Sequence, residues 1–127
     1  MKRVIVAVQN TLVSEAILSA LKKRGMFAEK SPSGEVQSVA SLCETLFADT
    51  LVMDATRFGD GTFDNRIATI TAVKKSNMQI KVCIICDNVS DSELSVKVAS
   101  AKEAGQIDAF FYQSLPSDYI ADVISTM

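Results

Sequence analysis

The chain has 127 residues, with 15 acidic side chains against 13 Lys and Arg, no histidine, a net charge of −2 and 48% apolar content. That length supports one domain with a true core, residues 1–127, and is too short for two. The charge balance lacks the cationic excess of a nucleic-acid groove or membrane-surface patch, and the missing imidazole excludes His-based nucleophile pairs, most zinc sites and phosphohistidine chemistry.

Arg3 to Val8 is an apolar run that reads as a strand buried on both faces, as in a parallel sheet. Asn10 or Thr11 caps a following helix whose inner face carries Leu12, Ala16, Ala20 and Leu21, with Gly25 as its stop. Phe27 to Lys30 is a short strand before the loop Ser31-Pro32-Ser33-Gly34. The next helix places Val36, Val39, Ala40, Cys43, Leu46 and Phe47 on one face. Thr50 to Asp54 is the third strand, and Ile67, Ile70 and Val73 mark a third helix. Ile80 to Cys86 is the fourth strand, followed by a capping box, Ser90-Asp91-Ser92-Glu93, and a helix ending at Gly105. Ala109 to Tyr112 is the fifth strand, and Pro116 to Ile124 closes the chain as a helix with Ile120, Val123 and Ile124 facing inward. The basic clusters Lys22-Lys23-Arg24 and Lys74-Lys75 mark helix C-terminal turns, where cations meet the dipole favourably.

Five βα units in this order predict a flavodoxin-like α/β sandwich. Right-handed crossovers put helices on both faces of a parallel sheet of order 2-1-3-4-5. The functional edge then lies at the carboxyl ends of strands 1, 3, 4 and 5. Asp54 sits there, at the end of the apolar run Leu51-Val52-Met53. A buried carboxylate is costly without a partner or a task, so Asp54 is the first candidate functional residue.

With Asp54 closing an apolar third strand, Ala104-Gly105 before strand 5 and the loop Gln113 to Asp118 before the last helix, the chain resembles the receiver domain of bacterial response regulators, the CheY-like family. The resemblance covers nearly the whole chain. It implies a phosphoacceptor at Asp54, a Mg²⁺-binding acid pair at Val8 and Gln9 or, one residue on, Asn10, a hydroxyl at Cys86, a lysine at Gln113 and an aromatic switch at Phe110. Three of those five elements are missing. No residue at the acid-pair positions is acidic, a thiol stands for the hydroxyl and a neutral amide for the lysine. Mg²⁺ requires hard charged oxygens, and phosphoryl transfer requires cations on the equatorial oxygens. The pattern therefore points to an atypical receiver, a pseudo-receiver that is not an enzyme and binds Mg²⁺ weakly or not at all.

Asp60 and Asp87, after strands 3 and 4, are candidate substitutes in a rearranged cation site; beside Gly and Asn, such aspartates are also ordinary turn formers. Cys83 and Cys86 are three apart on one strand, so their thiols face opposite ways and act as small buried hydrophobes. Gly59-Asp60-Gly61 lacks the spacing and the following Lys-Ser/Thr of a phosphate loop. Phe110 and Tyr112 share one face of strand 5 and Phe111 takes the other, while Tyr119 is a candidate contact residue on the last helix. In receivers the face of helix 4, strand 5 and helix 5 is a docking and dimerisation surface. The expected function is signalling through protein contacts in the cytoplasm, with a sensor kinase, an output protein or domain, or a second copy as partner, and no contact with nucleic acid or membrane. On that reading Asp54→Asn leaves function unchanged. Two alternatives stand beside it: a working phosphoacceptor at Asp54 with a rearranged site, and a flavodoxin-like small-molecule module.

Overall fold

A computed structural model describes residues 1–87 and 91–127. Five parallel strands form one sheet in the order β2-β1-β3-β4-β5. They are β1 (Arg3–Ala7), β2 (Phe27–Lys30), β3 (Thr50–Asp54), β4 (Lys81–Cys86) and β5 (Ala109–Tyr112). The helices are α1 (Thr11–Lys23), α2 (Val36–Thr45), α3 (Phe63–Ser76), α4 (Ser92–Glu103) and α5 (Ser117–Thr126), with a 3-10 turn at Gly59–Gly61. This is the flavodoxin-like architecture that the alternation of elements predicts.

Two apolar cores flank the sheet. On one side Ile5, Leu51, Met53, Ile84 and Cys86 pack beneath α2, α3 and α4. On the other, Val4, Val6, Val52, Cys83, Ile85 and Phe111 meet α1 and α5. Cys83 and Cys86 thus lie in different cores, as a strand's period of two requires. Central strands buried on both faces need no polar alternation, which explains the unbroken apolar runs of β1, β3 and β4.

Local signals set most boundaries. Asn10 caps α1, its Oδ1 accepting from the Val13 N–H at 3.1 Å. Helix α1 closes with Gly25 at φ +78°, its N–H donating to Lys22 O and that of Met26 to Leu21 O. The same paired closure ends α4 at Gly105, φ +80°. Asp91 caps α4 by accepting from the Leu94 N–H at 3.0 Å. Ser90, the expected capping hydroxyl, lies outside the described residues.

Two helix faces differ from expectation. Leu12 is 84% exposed and Ala16 is also outward, while Ser14, Ile17, Leu18 and Leu21 are buried. Leu12 and Ala16 share a stripe four residues apart, and that stripe looks to solvent. Phe47 is not on the α2 face either. Helix α2 ends at Thr45 with a reversal that places Phe47 where glycine normally stands, at φ 53°. Its N–H donates to Glu44 O and that of Ala48 to Cys43 O. The left-handed turn costs a side-chain-bearing residue about 1–2 kcal/mol and swings the ring to 79% exposure. Val123 is half-buried; Ile120 and Ile124 carry the α5 contact.

Candidate functional site

The site is built around Asp54, the last residue of β3, which is only 7% exposed. Its backbone pairs with Ile85 of β4, so the carboxylate projects at the carboxyl edge of the sheet. What meets it comes from α3. Thr62 caps that helix, and its inner stripe runs Arg66, Thr69, Ile70 and Val73. Arg66 is fully buried. Its Nη2 donates to Asp54 Oδ1 at 2.6 Å and to Ala7 O at 2.9 Å, and its Nε donates to Asp54 O at 2.7 Å. The other carboxylate oxygen, Oδ2, accepts the Gln9 N–H at 3.0 Å. One arginine therefore ties β1, β3 and α3 together.

Gln9 extends this closure. Its Oε1 lies 2.9 Å from the Thr56 hydroxyl, which also reaches Phe58 O at 2.8 Å. Gly61 is what admits the amide, because a Cβ there would overlap both Gln9 Oε1 and Thr56 Oγ1. A neutral amide thus bridges the end of β1 to the loop after β3, while the positive charge on Asp54 comes from α3. Sequence reasoning missed Arg66. The available signal was an arginine on the i, i+4, i+7 stripe with Ile70 and Val73, twelve residues after Asp54.

The other candidate positions fall as follows. Val8 is 4% exposed and packs in the α1/α5 core. Asn10 spends its side chain on the α1 cap. Cys86 is 1% exposed in the α2–α4 core. Gln113 donates its N–H to Cys86 O at 2.9 Å, and it borders a small hollow with Ile17, Ile85 and Ile120. Phe110 is half-buried and meets Tyr112 edge-on, ring centroids 5.7 Å apart. Tyr119 is 53% exposed on α5.

The rearranged cation site does not form. Asp60 packs against the Cα of Gly34, where a Cβ would come within 2.9 Å of its own Cβ. Asp87 is half-buried at the end of β4. Among the described residues no three of His, Cys, Asp and Glu converge as a metal would need. Mg²⁺ does not fit this site: both Asp54 oxygens are engaged, and the acid-pair positions hold a buried valine and two amides.

A second cation stands above the edge. Arg57 makes a bidentate pair with Asp91, Nε to Oδ2 at 2.5 Å and Nη2 to Oδ1 at 3.2 Å. The Arg57 hydrogen bond and then the Leu94 N–H hold the Asp91 carboxyl below its ordinary value. This pair joins the β3–α3 loop to the start of α4 across a cavity of about 380 Å³ lined by Phe58, Phe63, Leu94 and Lys97.

The three thiols are not poised for chemistry. Burial pushes Cys43 and Cys83 up to about 12, and burial and then Asp87 push Cys86 up to about 11. The thiolate is the reactive form, so at neutral pH the folded protein should react with a disulfide reagent only as fast as it opens. A colorimetric thiol assay should show all three cysteines reacting promptly only in denaturant. Prompt reaction of one thiol in the native protein would contradict this burial.

No protein-family model matches the chain, and no curated protein matches it in sequence. Solved structures match in fold over nearly its whole length. A response regulator receiver protein from Burkholderia phymatum is 17% identical at a TM-score of 0.73, covering 99% of this chain and 94% of that one. A CheY-like protein, tadZ, from Pseudomonas aeruginosa is 16% identical at 0.70, covering 99% and 98%. A DNA-binding response regulator of the LuxR family from Staphylococcus aureus is 15% identical at 0.72, with the same coverage. At these identities the likeness establishes the fold, which is that of receiver domains.

Proposed function

We propose that this chain is a signalling domain of the two-component type, an atypical receiver acting as one non-catalytic unit through protein contacts. The observation that carries this reading is the Arg66–Asp54 pair. In a phosphoacceptor the carboxylate oxygen must be free to attack phosphorus, and a metal must share the charge that develops. Here Oδ1 is held by a buried guanidinium and Oδ2 by a backbone N–H. Freeing the nucleophile would strand a fully buried cation, at a cost of several kcal/mol.

The partner is a protein: a sensor kinase, an output protein or domain, or a second copy of the chain. The surface around α5, with Tyr119 exposed, is the proposed contact face. A cytoplasmic setting fits a domain of this composition; among the described residues no helix is long and apolar enough to cross a membrane.

The test is exposure of the purified protein to acetyl phosphate, and separately to beryllofluoride, each with Mg²⁺. Intact-mass analysis should find no phosphoprotein, and amide spectra should show no saturable change near Asp54. A stoichiometric phosphoaspartate, or tight beryllofluoride binding, would replace this reading with a working phosphoacceptor.

A further inference from the structure

Arg66 uses two of its three nitrogens in the contacts described above. The third, Nη1, is buried and has no partner. Leaving a buried donor unmet costs about 1–3 kcal/mol, and more for a charged group, so an acceptor is owed to it. The same arginine forms part of the wall of a second cavity, about 190 Å³, beyond the carboxyl ends of β1 and β2. Its other walls are Ala7, Val8, Gln9, Lys30 and the loop Ser31 to Gly34. Asp54, Cys86 and Gln113 do not line it, whereas Val8, Gln9 and Arg66 do, so it adjoins the Asp54 site on the β1–β2 side.

The polar groups around this cavity are biased toward donors. Ser33 Oγ accepts the Glu35 N–H at 3.1 Å, which leaves the Ser33 hydroxyl hydrogen to donate. Ser33 O is already engaged by the Ser31 hydroxyl at 2.6 Å. Lys30 adds a cation to the lining. A guanidinium edge, a hydroxyl and an ammonium select a ligand of acceptor oxygens. Two carboxylates limit its charge: Asp54 already balances Arg66, and the Asp60 carboxylate lies against Gly34 at the rim.

We propose that this cavity binds a small singly charged oxyanion, a carboxylate or monobasic phosphate, on Arg66 Nη1. The site needs no phosphoryl group on Asp54, and it rests on the Arg66–Asp54 pair of the proposed function. The occupant completes the hydrogen bonding of Arg66 and so stiffens the β1–α3 junction on which Asp54 depends.

The experiment is a titration of isotope-labelled protein with acetate and, separately, inorganic phosphate at pH 6, with sodium chloride at matched ionic strength as control. Saturable shifts of the Arg66 side-chain signals and the Gly34 amide are expected for at least one oxyanion and not for chloride. Lys30→Gln and Ser33→Ala, which leave the Arg66–Asp54 pair intact, should each weaken binding by about fivefold to tenfold. Acetate binding without phosphate binding would identify the source as a carboxylate, and the converse as phosphate. Absence of saturable shifts would mean that a water alone meets Nη1, and the proposal fails. Equal affinity in both variants would mean binding elsewhere, which overturns it as well.

Discussion

Arg66→Met should cost about 3–5 kcal/mol of stability, because it leaves a buried carboxylate without its charge partner. For a chain of this size that is a fall in Tm on the order of 10–20 °C. The variant also strips donors from Ala7 O and Asp54 O, the two carbonyls that Arg66 joins across β1 and β3. Asp54→Asn should be damaging for the mirror reason, since it strands a fully buried guanidinium. This corrects the expectation from sequence that Asp54→Asn is benign: loss of signalling in that variant would follow from a weakened fold, whatever the phosphorylation state. The double variant Asp54→Leu/Arg66→Met separates the causes. It removes both charges and keeps the volume apolar, so its loss should be smaller than the summed single losses by about 1–3 kcal/mol. Denaturant unfolding of wild type, Arg66→Met, Asp54→Leu and the double variant measures this directly. Strict additivity would show that the pair is not coupled.

The second large effect is a gain. Gln9→Asp/Arg66→Met places a carboxylate at the first-strand position and removes the internal cation from Asp54. Two hard anionic oxygens then face one another across the edge, as a divalent ion requires. The Tm of this variant should rise with Mg²⁺, and binding at ten times Kd would contribute about 1.4 kcal/mol. Wild-type Tm should not respond, because Arg66 already occupies the electrostatic role of a metal. A Mg²⁺ response in wild type equal to that of the variant would show that the pair does not exclude the ion. Titration in magnesium chloride, with sodium chloride at matched ionic strength, distinguishes specific binding from screening.

The two experiments bear on the same physical point. A receiver fold needs a positive charge beside its acceptor carboxylate, and that charge can be diffusible or covalent. A diffusible ion leaves an open coordination position for a phosphoryl oxygen. A guanidinium held by Ala7 O, Asp54 O and Asp54 Oδ1 offers none on the acceptor side. The domain keeps the skeleton, and on the proposed function it closes the reaction.

Much of the skeleton was legible in the sequence. The runs of β3 and β5 are short and largely apolar, β2 is a short mixed run between Gly25 and the Ser31 loop, and all three fall where the pattern puts them. Parallel pairing and strand order follow from the alternation of elements, because right-handed crossovers leave few other arrangements. The vacancies at Val8, Gln9 and Gln113 also needed no structure: uncharged side chains cannot supply charge wherever they point. What replaced them was a tertiary fact. Arg66 lies twelve residues along the chain from Asp54, on a helix whose sequence pattern marks it only as a polar residue within an apolar stripe. Periodicity gives the direction of a side chain, not the identity of its partner across the sheet. Leu12 and Phe47 failed for a related reason. Both are apolar and near the expected stripe, but the register of the Asn10 cap and a left-handed residue at the end of α2 decide which way each faces. Composition and spacing determined the fold and left the acid-pair positions without charge. Packing alone decided that Asp54 would be neutralised from within.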